Sequence, residues 1–222
     1  MVDALYLGST PIERVYRGAE CAWPEYENLS PTPVPTAATV PESKQWQLSG
    51  EYWPADSTRS LESGDGPFGR DYLRKTITAT THALNNSSGT FIIGTNTPAA
   101  TIDPASKGIP VDAGVTYTVS LYLRSSAESS NPVFNVRFWD ATGQTTIGGT
   151  TSQIVTGTPL TPGSWMRLSC QFTVPDGAAL AGCFIQPWGG TAVVGDTFDA
   201  TCLMVSTDGL HPYRDTASPR IA

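Results

Sequence analysis

The chain has 222 residues, of which 13 are basic and 20 acidic, and its formal net charge is −7. A chain with this charge offers no basic stripe to neutralise phosphates, so no nucleic acid is expected as a partner. The sequence has no run of about 18 apolar residues and no basic-then-apolar N-terminus, so neither membrane insertion nor a signal peptide is expected. Its 21 glycines and 18 prolines fall below the proportion typical of disorder, so the chain is expected to fold.

A repeat with a ten-residue period occupies the N-terminus. Leu5-Tyr6-Leu7-Gly8-Ser9-Thr10 is answered by Val15-Tyr16-Arg17-Gly18-Ala19-Glu20, and Trp23-Pro24 closes the segment. In each copy an apolar residue, a tyrosine and a strand-compatible residue lead into a glycine, which predicts a short β-strand ending at a turn. A two-stranded unit is marginal alone in water. Residues 1–24 are therefore predicted to form a small β-hairpin that docks on a larger partner, through Leu5, Tyr6, Leu7, Val15, Tyr16 and Trp23.

This spacing, aliphatic-Tyr-x-Gly-Ser repeated after ten residues and followed by a tryptophan, resembles the N-terminal docking segment of minor tail proteins from phages of actinobacteria. The likeness covers residues 3–24, although Arg17, Ala19 and Glu20 replace the more usual Leu and Ser-Thr of the second copy. It implies a structural minor tail or baseplate protein at the tail tip of a virion, made in the host cytoplasm. The implied partners are other tail-tip proteins and further copies of the chain, as a homo-oligomer.

Residues 25–44 form a proline-rich segment. Its prolines are Pro31, Pro33, Pro35 and Pro41. Proline fixes φ and removes a backbone donor, which favours an extended, polyproline-like chain over a helix or a central strand. Two interpretations stay open: a semi-rigid spacer, or an edge segment along the next domain with Leu29 and Val34 in surface grooves.

From about residue 45 to residue 206, apolar and polar residues alternate. The clearest runs are Val115–Arg124, Phe134–Trp139, Met166–Phe172 and Phe198–Met204, and weaker ones are Tyr72–Thr80, Thr90–Thr95, Ile147–Val155 and Cys183–Trp188. Alternation predicts half-buried strands, and no stretch has helical periodicity, so the fold class is predicted as an all-β antiparallel jelly-roll sandwich. The predicted core contains Leu121, Val136, Phe138, Leu168, Phe172 and Phe198. In the last run, alternation places Cys202 and Met204 on the same inner face as Phe198.

Three segments carry a second resemblance: Val111–Arg124, Pro162–Pro175 and Gly195–Val205. They are similar to the Gly-x-x-Tyr-x-x-Ser strand, the Trp-x-Arg strand and the closing Asp-containing strand of jelly-roll carbohydrate-binding modules, which are fused to glycan-degrading enzymes and to phage tail proteins. The likeness spans about residues 45–206 and leaves residues 207–222 as a C-terminal tail. It implies a domain displayed for host-surface attachment or, as the alternative, an adsorption protein that recognises a cell-wall glycan.

Seven aromatic and planar polar residues are predicted to face away from the core. They are Tyr122, Arg124, Asn135, Arg137, Trp139, Gln186 and Trp188. A sugar stacks its C–H face on an aromatic plane and hydrogen-bonds Asn, Gln and Arg through its hydroxyls, so this set predicts a glycan-contact surface. The alternatives are contact with a neighbouring subunit, burial under the proline-rich segment, or an arginine that packs on Trp139.

A further aromatic set lies in a region with little alternation: Trp46, Tyr52, Trp53, Phe68 and Tyr72. These residues are interpreted as plugs that seal one end of the core, with loops that grip a saccharide as the alternative.

The remaining residues predict no catalytic centre. His82 and His211 lie in no nucleophile or metal motif, so the chain is predicted not to be an enzyme, with an envelope glycan depolymerase as the alternative. No cofactor is predicted. Calcium at Asp196 with Asp199, or at Asp65 with Asp71, is a weak alternative, because no loop of the DxDxDG type is present.

The four cysteines, Cys21, Cys170, Cys183 and Cys202, lack the spacing of a zinc site. They are predicted to be buried free thiols, because cysteine is among the most buried residue types and the chain is expected to fold in a reducing compartment. A Cys170–Cys202 disulfide stays open as the alternative.

Overall fold

The structure is a computed structural model that describes residues 6–7, 10–11, 16–17, 20–21, 34–35, 46–48, 57–79, 91–93, 109–127, 133–154, 160–186, 193–207 and 209–213. These ranges contain β-strands and one short 3-10 turn, Pro67–Gly69, and no α-helix. The strands are β1 Tyr6–Leu7, β2 Thr10–Pro11, β3 Tyr16–Arg17, β4 Glu20–Cys21, β5 Trp46–Leu48, β6 Ser57–Glu62, β7 Tyr72–Ile77, β8 Phe91–Ile93, β9 Ile109–Pro110, β10 Thr116–Ser125, β11 Val133–Trp139, β12 Thr146–Ile154, β13 Met166–Thr173, β14 Leu180–Gln186 and β15 Thr197–Ser206. None of the described segments is a helix long and apolar enough to cross a membrane.

The main strands form two antiparallel sheets with jelly-roll connectivity. A five-stranded sheet has the order β13-β10-β15-β7-β6, and a six-stranded sheet has the order β12-β11-β14-β8-β5, with β9 also paired to β14. Strand β7 lies beside β15, β8 beside β14, β10 beside β13 and β11 beside β12. This nested pairing, with the chain alternating between sheets, is that of a jelly roll. The predicted fold class is confirmed, and the eight strands of the roll are the eight predicted runs.

The core lies between the two sheets. The six predicted core residues, Leu121, Val136, Phe138, Leu168, Phe172 and Phe198, are all buried in one cluster. Phe172 of the five-stranded sheet meets Phe138 of the six-stranded sheet at a ring-centroid distance of 5.7 Å. Aromatic contact across the sheets closes the sandwich, and the prediction of the core is confirmed.

A β-bulge in β15 reverses the inner and outer faces of its second half. The pairing of β10 with β15 shifts between Ser120 and Tyr122, so that one extra residue of β15 has to be accommodated. Cys202 lies at this shift and has a positive φ of 57°. Leu203 and Val205 therefore join the core, whereas Cys202 and Met204 face outward. The predicted inward orientation of Cys202 and Met204 is wrong, because strict alternation does not include the extra residue.

Buried thiols are found on both faces of the five-stranded sheet. Cys170 and Cys183 are free thiols in the core, and burial raises the pKa of the Cys170 thiol to about 12. Cys202 is buried on the outer face, where its Sγ lies 4.0 Å from the carbonyl oxygen of Pro67. The prediction of free core thiols is confirmed for Cys170 and Cys183, and the alternative Cys170–Cys202 disulfide is not formed. The side chain of Cys21 lies outside the described part.

The N-terminal repeat forms two small antiparallel pairs. In β1–β2, Tyr6 pairs with Pro11, and in β3–β4, Tyr16 pairs with Cys21 at the equivalent position. Each copy of the repeat therefore pairs within itself, in the same register, and the prediction of a single hairpin across residues 1–24 is wrong, because each copy already contains its own turn. Leu5, Val15 and Trp23 of the predicted docking set lie outside the described residues, and the docking role stays a prediction.

Two residues of the proline-rich segment are described. Pro35 is buried and Val34 is partly buried. Burial at this point favours a segment that lies against other parts of the chain over a spacer surrounded by solvent.

Candidate functional site

The outer face of the five-stranded sheet brings together aromatic and charged side chains from distant parts of the sequence. Strand β7 contributes Tyr72 and Arg74, because Leu73 between them points into the core. Strand β10 contributes Tyr122 and Arg124, because Leu123 between them points into the core. The strand β15 between them contributes Asp199, which pairs with Arg74 on one side and with Arg124 on the other.

One buried carboxylate holds two guanidinium groups on this face. Arg74 donates from Nε and Nη2 to the two oxygens of Asp199, at 2.8 and 2.9 Å, and Arg124 donates from Nε to Oδ2 at 2.8 Å. Asp199 is only 1% exposed. The hydrogen bond to Asp199 raises the pKa of Arg74 above its usual range. The group is therefore charged and immobilised, with the bidentate geometry that arginine forms with a carboxylate.

The Arg124 guanidinium also joins the sheet to the loop of residues 63–71. It lies 4.5 Å from the ring centroid of Trp165 and 5.0 Å from that of Tyr72. Its Nη1 donates to Asp65 Oδ2 at 3.0 Å, and Trp165 Nε1 donates to the Asp65 carbonyl oxygen at 3.1 Å. Charge-assisted hydrogen bonds to Asp199 and Asp65, and cation–π contacts with Tyr72 and Trp165, hold Arg124 within the protein. We therefore describe Arg124 as a residue that positions the loop.

The loop of residues 63–71 presents the ring of Phe68 to solvent. Phe68 is 63% exposed and has a φ of 59°. A bulky residue in this left-handed region is unusual and costs on the order of 1–3 kcal/mol, so the surrounding structure must impose it. Gly66 contributes, because a Cβ at that position would lie 2.3 Å from the Arg70 carbonyl oxygen, to which the Gly66 N–H donates. The exposed ring is thus carried by a tightly closed loop.

Two tyrosines contact this ring. The Phe68 and Tyr122 centroids are 5.6 Å apart with an interplanar angle of 87°, and those of Phe68 and Tyr213 are 5.5 Å apart with an angle of 16°. We call these three residues the Phe68 platform. The Arg167 guanidinium lies 5.9 Å from the Tyr122 centroid, beside the platform. Partial burial raises the pKa of Tyr122.

Five of the seven residues predicted to form one contact surface are described with their side chains, and these five lie on two different sheets of the sandwich. Tyr122 and Arg124 lie on the five-stranded sheet, whereas β11, which carries Asn135, Arg137 and Trp139, belongs to the six-stranded sheet. The prediction of a single surface is wrong, because alternation orders residues within a strand but does not say which sheet the strand enters. The side chain of Gln186 and all of Trp188 lie outside the described part of the chain.

Trp139 is fully buried, with 0% exposure, and forms a small cluster with Leu180. Asn135 is 5% exposed. The prediction of Trp139 as an open aromatic anchor is wrong, since part of the chain itself covers this side of the six-stranded sheet.

The aromatic plug interpretation fails for Phe68, which points to solvent. Tyr72 is 4% exposed, but it packs on the outer face, edge-on to Trp165 at 5.3 Å, and not in the core. The side chain of Trp46 and all of Tyr52 and Trp53 are beyond what the structure describes. Tyr213 was not predicted at all, because no local pattern marks a residue that returns to the sheet from the far end of the chain.

The acidic pairs proposed for calcium have other partners. Asp199 binds two arginines, and Asp65 binds one of them. Asp196 accepts hydrogen bonds from Ser126 Oγ and from the Val193 N–H. These contacts argue against either pair as a calcium site, and no cluster of three or more His, Cys, Asp or Glu with the arrangement of a metal site occurs among the described residues.

Comparison with known proteins leaves the family open. No protein-family model matches the chain, and no curated protein does. The CBM22-2 xylan-binding domain of Paenibacillus barcinonensis is 12% identical, and the match covers 82% of this chain and 98% of that one, with a TM-score of 0.47. A Clostridium thermocellum endo-xylanase containing CBM22-1 and GH10 modules is 12% identical, over 83% of this chain and 28% of that one, with a TM-score of 0.48.

The enzymatically active domain of tailspike protein 4 from bacteriophage CBA120 is 13% identical, and the match covers 71% of this chain and 20% of that one, with a TM-score of 0.41. The chain thus spans less than a third of both the xylanase and the tailspike. All three TM-scores are below 0.5. The jelly-roll topology is accordingly established by the strand pairing of the chain itself, and these structures assign neither a family nor a ligand to it.

Proposed function

We propose that this protein is a non-catalytic glycan-binding protein and that it contacts its ligand with the Phe68 platform. The observation that carries the proposal is the ring of Phe68, which is 63% exposed although the chain holds it in a strained backbone conformation. Strain of this kind persists where the surrounding structure imposes it, and it clusters at sites that meet ligands.

The chemistry of the platform suits a sugar. A pyranose presents a flat C–H face that stacks on an aromatic ring, and hydroxyls that hydrogen-bond planar polar groups. Phe68 supplies the ring. The hydroxyl of Tyr122 and the guanidinium of Arg167, 5.9 Å from the Tyr122 ring, supply polar groups at its side.

Binding to polysaccharide extracted from actinobacterial cell walls tests this proposal. Phe68→Ala is expected to weaken binding at least 30-fold, since loss of a central aromatic anchor costs about 2 kcal/mol or more. Val194→Ala is the matched control. Val194 is also exposed, at 59%, but it lies beside the last residue of β7, whereas the loop of residues 63–71 joins the first. Equal binding by the two variants would exclude the platform. Release of reducing ends from the polysaccharide would instead favour the depolymerase alternative.

The N-terminal pairs favour a second, compatible role: docking into a larger assembly. Two pairs with the same register, one in each copy of the repeat, support a segment that engages a partner at two similar points. Together with the resemblance of this segment, they favour a homo-oligomeric minor tail or baseplate protein, made in the host cytoplasm and carried at the tail tip of a virion. Its jelly roll would then serve attachment to a host glycan.

Deletion of residues 1–24 tests the docking role. Because the described residues of the jelly-roll core form one cluster between the two sheets, the truncated protein is expected to remain folded and soluble, with the same melting temperature. It is expected to be lost from assembled particles, as measured by immunoblotting of purified virions. Recovery of the truncated protein in particles at the full-length level would exclude an anchoring role.

A further inference from the structure

We infer that Tyr213 is a positioning residue of the glycan site, so that the described residues 209–213 after β15 belong to this site. The inference rests on the proposed function, since it assigns a role within the Phe68 platform. It differs from the sequence-based division, which placed residues 207–222 outside the domain.

The path of the chain after β15 brings Tyr213 to the platform. Strand β15 ends at Ser206, whose Oγ donates to the carbonyl oxygen of Gly209. Gly209 has a φ of 113°, a conformation that only glycine adopts readily. This turn leads into residues 210–213, and Tyr213 then stacks on Phe68, which lies 145 positions earlier in the chain.

The ring geometry shows that Tyr213 stacks on Phe68 with an offset and leaves much of the ring exposed. Two coplanar rings side by side would have centroids at least about 6.5 Å apart, because carbon atoms approach only to about 3.5–4.0 Å. The observed 5.5 Å with an interplanar angle of 16° therefore fits an offset stack, in which ring planes about 3.5–4.0 Å apart are displaced sideways by about 4 Å. Phe68 nevertheless keeps 63% of its surface exposed, so much of the ring stays open to a ligand. Tyr213 thus supports the ring, while Tyr122 contacts it at a right angle.

Such support matters for affinity. A phenyl side chain on a surface loop loses rotational freedom when a ligand stacks on it, and this loss weakens binding. Contacts that hold the ring before the ligand arrives remove part of that loss. Stacked aromatic pairs have coupling energies that correspond to roughly two- to twelve-fold in an equilibrium constant.

Affinity measurements on full-length variants test the inference. Tyr213→Ala is expected to weaken binding of the actinobacterial cell-wall polysaccharide by about two- to twelve-fold. Tyr213→Phe retains the stacked ring and is expected to bind within about twofold of the unmodified protein. Leu210→Ala is the control on the same segment, since Leu210 is 54% exposed, and it is expected to bind like the unmodified protein.

Limited trypsin digestion supplies a readout that needs no ligand. Arg70 is exposed at the end of the loop, and its cleavage is expected to accelerate in Tyr213→Ala but not in Tyr213→Phe or Leu210→Ala. The inference is overturned if Tyr213→Ala is cleaved at the unmodified rate. It is also overturned if Tyr213→Ala binds the polysaccharide at least as tightly as the unmodified protein does. If cleavage is faster in Tyr213→Ala but the unmodified protein does not bind the polysaccharide, the positioning contact is supported. The proposed glycan function alone is then overturned.

Discussion

At the scale of single residues, Lys75 carries a charge-bearing group into the core. It lies on the inner face of β7 between Leu73 and Ile77, and it is 2% exposed. Burial lowers its pKa from 10.5 to about 8. The neutral amine is favoured in the folded state because the apolar interior solvates an ammonium group poorly. Lys75 therefore makes folding depend on pH.

The direction of this dependence follows from proton binding. Between pH 8 and 10.5 the unfolded chain binds more protons at Lys75 than the folded chain does, so the contribution of Lys75 to stability rises with pH in this window. Below pH 8 Lys75 is charged in both states, and burial of its ammonium group destabilises the folded state by about 3 kcal/mol. Lys75→Met is expected to raise the melting temperature at pH 7, with an advantage that shrinks towards pH 10.5. Calorimetry across this range measures it, and a destabilised Lys75→Met protein at pH 7 would contradict the argument.

At the scale of elements, Asp199 joins three strands and a loop. It lies on β15 and holds Arg74 of β7 and Arg124 of β10, and Arg124 in turn binds Asp65 of the loop. A buried carboxylate between two guanidinium groups is compensated in charge and in hydrogen bonding. The position of Phe68 thus depends on an ion-pair group on the sheet, at some distance from the ring itself.

Removing the charge of Asp199 tests how much this ion-pair group contributes to stability. Asp199→Asn keeps the shape of the side chain but leaves two adjacent guanidinium groups without their buried counter-charge, so a loss of about 3 kcal/mol is expected in the free energy of unfolding. Asp176→Asn, at an exposed turn, is the control and is expected to change stability by less than about 0.5 kcal/mol. Urea denaturation compares them, and equal midpoints would show that the ion pairs contribute little.

At the scale of the whole molecule, the sandwich separates two outer faces that differ in burial. The five-stranded sheet presents the Phe68 platform to solvent, whereas Trp139 on the six-stranded sheet is fully buried. Each sheet has one face on the core, so side chains on the two outer faces cannot meet a common ligand. Stability and binding should therefore respond to different substitutions.

Trp139→Ala is expected to destabilise the protein by about 3–5 kcal/mol, because a large buried side chain leaves a cavity. Gln144→Ala, at an exposed position in the turn after β11, serves as the comparison. We expect Trp139→Ala to have a lower melting temperature. At temperatures where this variant is still folded, we expect it to bind the polysaccharide as the unmodified protein does. An unchanged melting temperature would mean that Trp139 is not packed as the structure has it.

The alternation of apolar and polar residues determined the strands and the core. It is a local property: neighbouring side chains of a strand point to opposite faces, so a buried face imposes period two on the sequence. The eight strands of the roll and core residues such as Phe138 and Leu168 were predictable for this reason. Strands β5, β6 and β9 were not predictable from this alternation. Strands β5 and β9 are short, and β6 contains few apolar residues.

Only the tertiary structure decided how these strands combine into a site. The bulge at Cys202 reverses the inner and outer faces of the second half of β15, and the alternation in the sequence does not predict it. The pairing of strands places Trp139 on the face opposite to Tyr122. The exposure of Phe68 depends on a loop closed by distant partners, and its contact with Tyr213 joins positions far apart in the chain. Periodicity describes one strand at a time, whereas a binding site is made by side chains that meet across strands, sheets and loops.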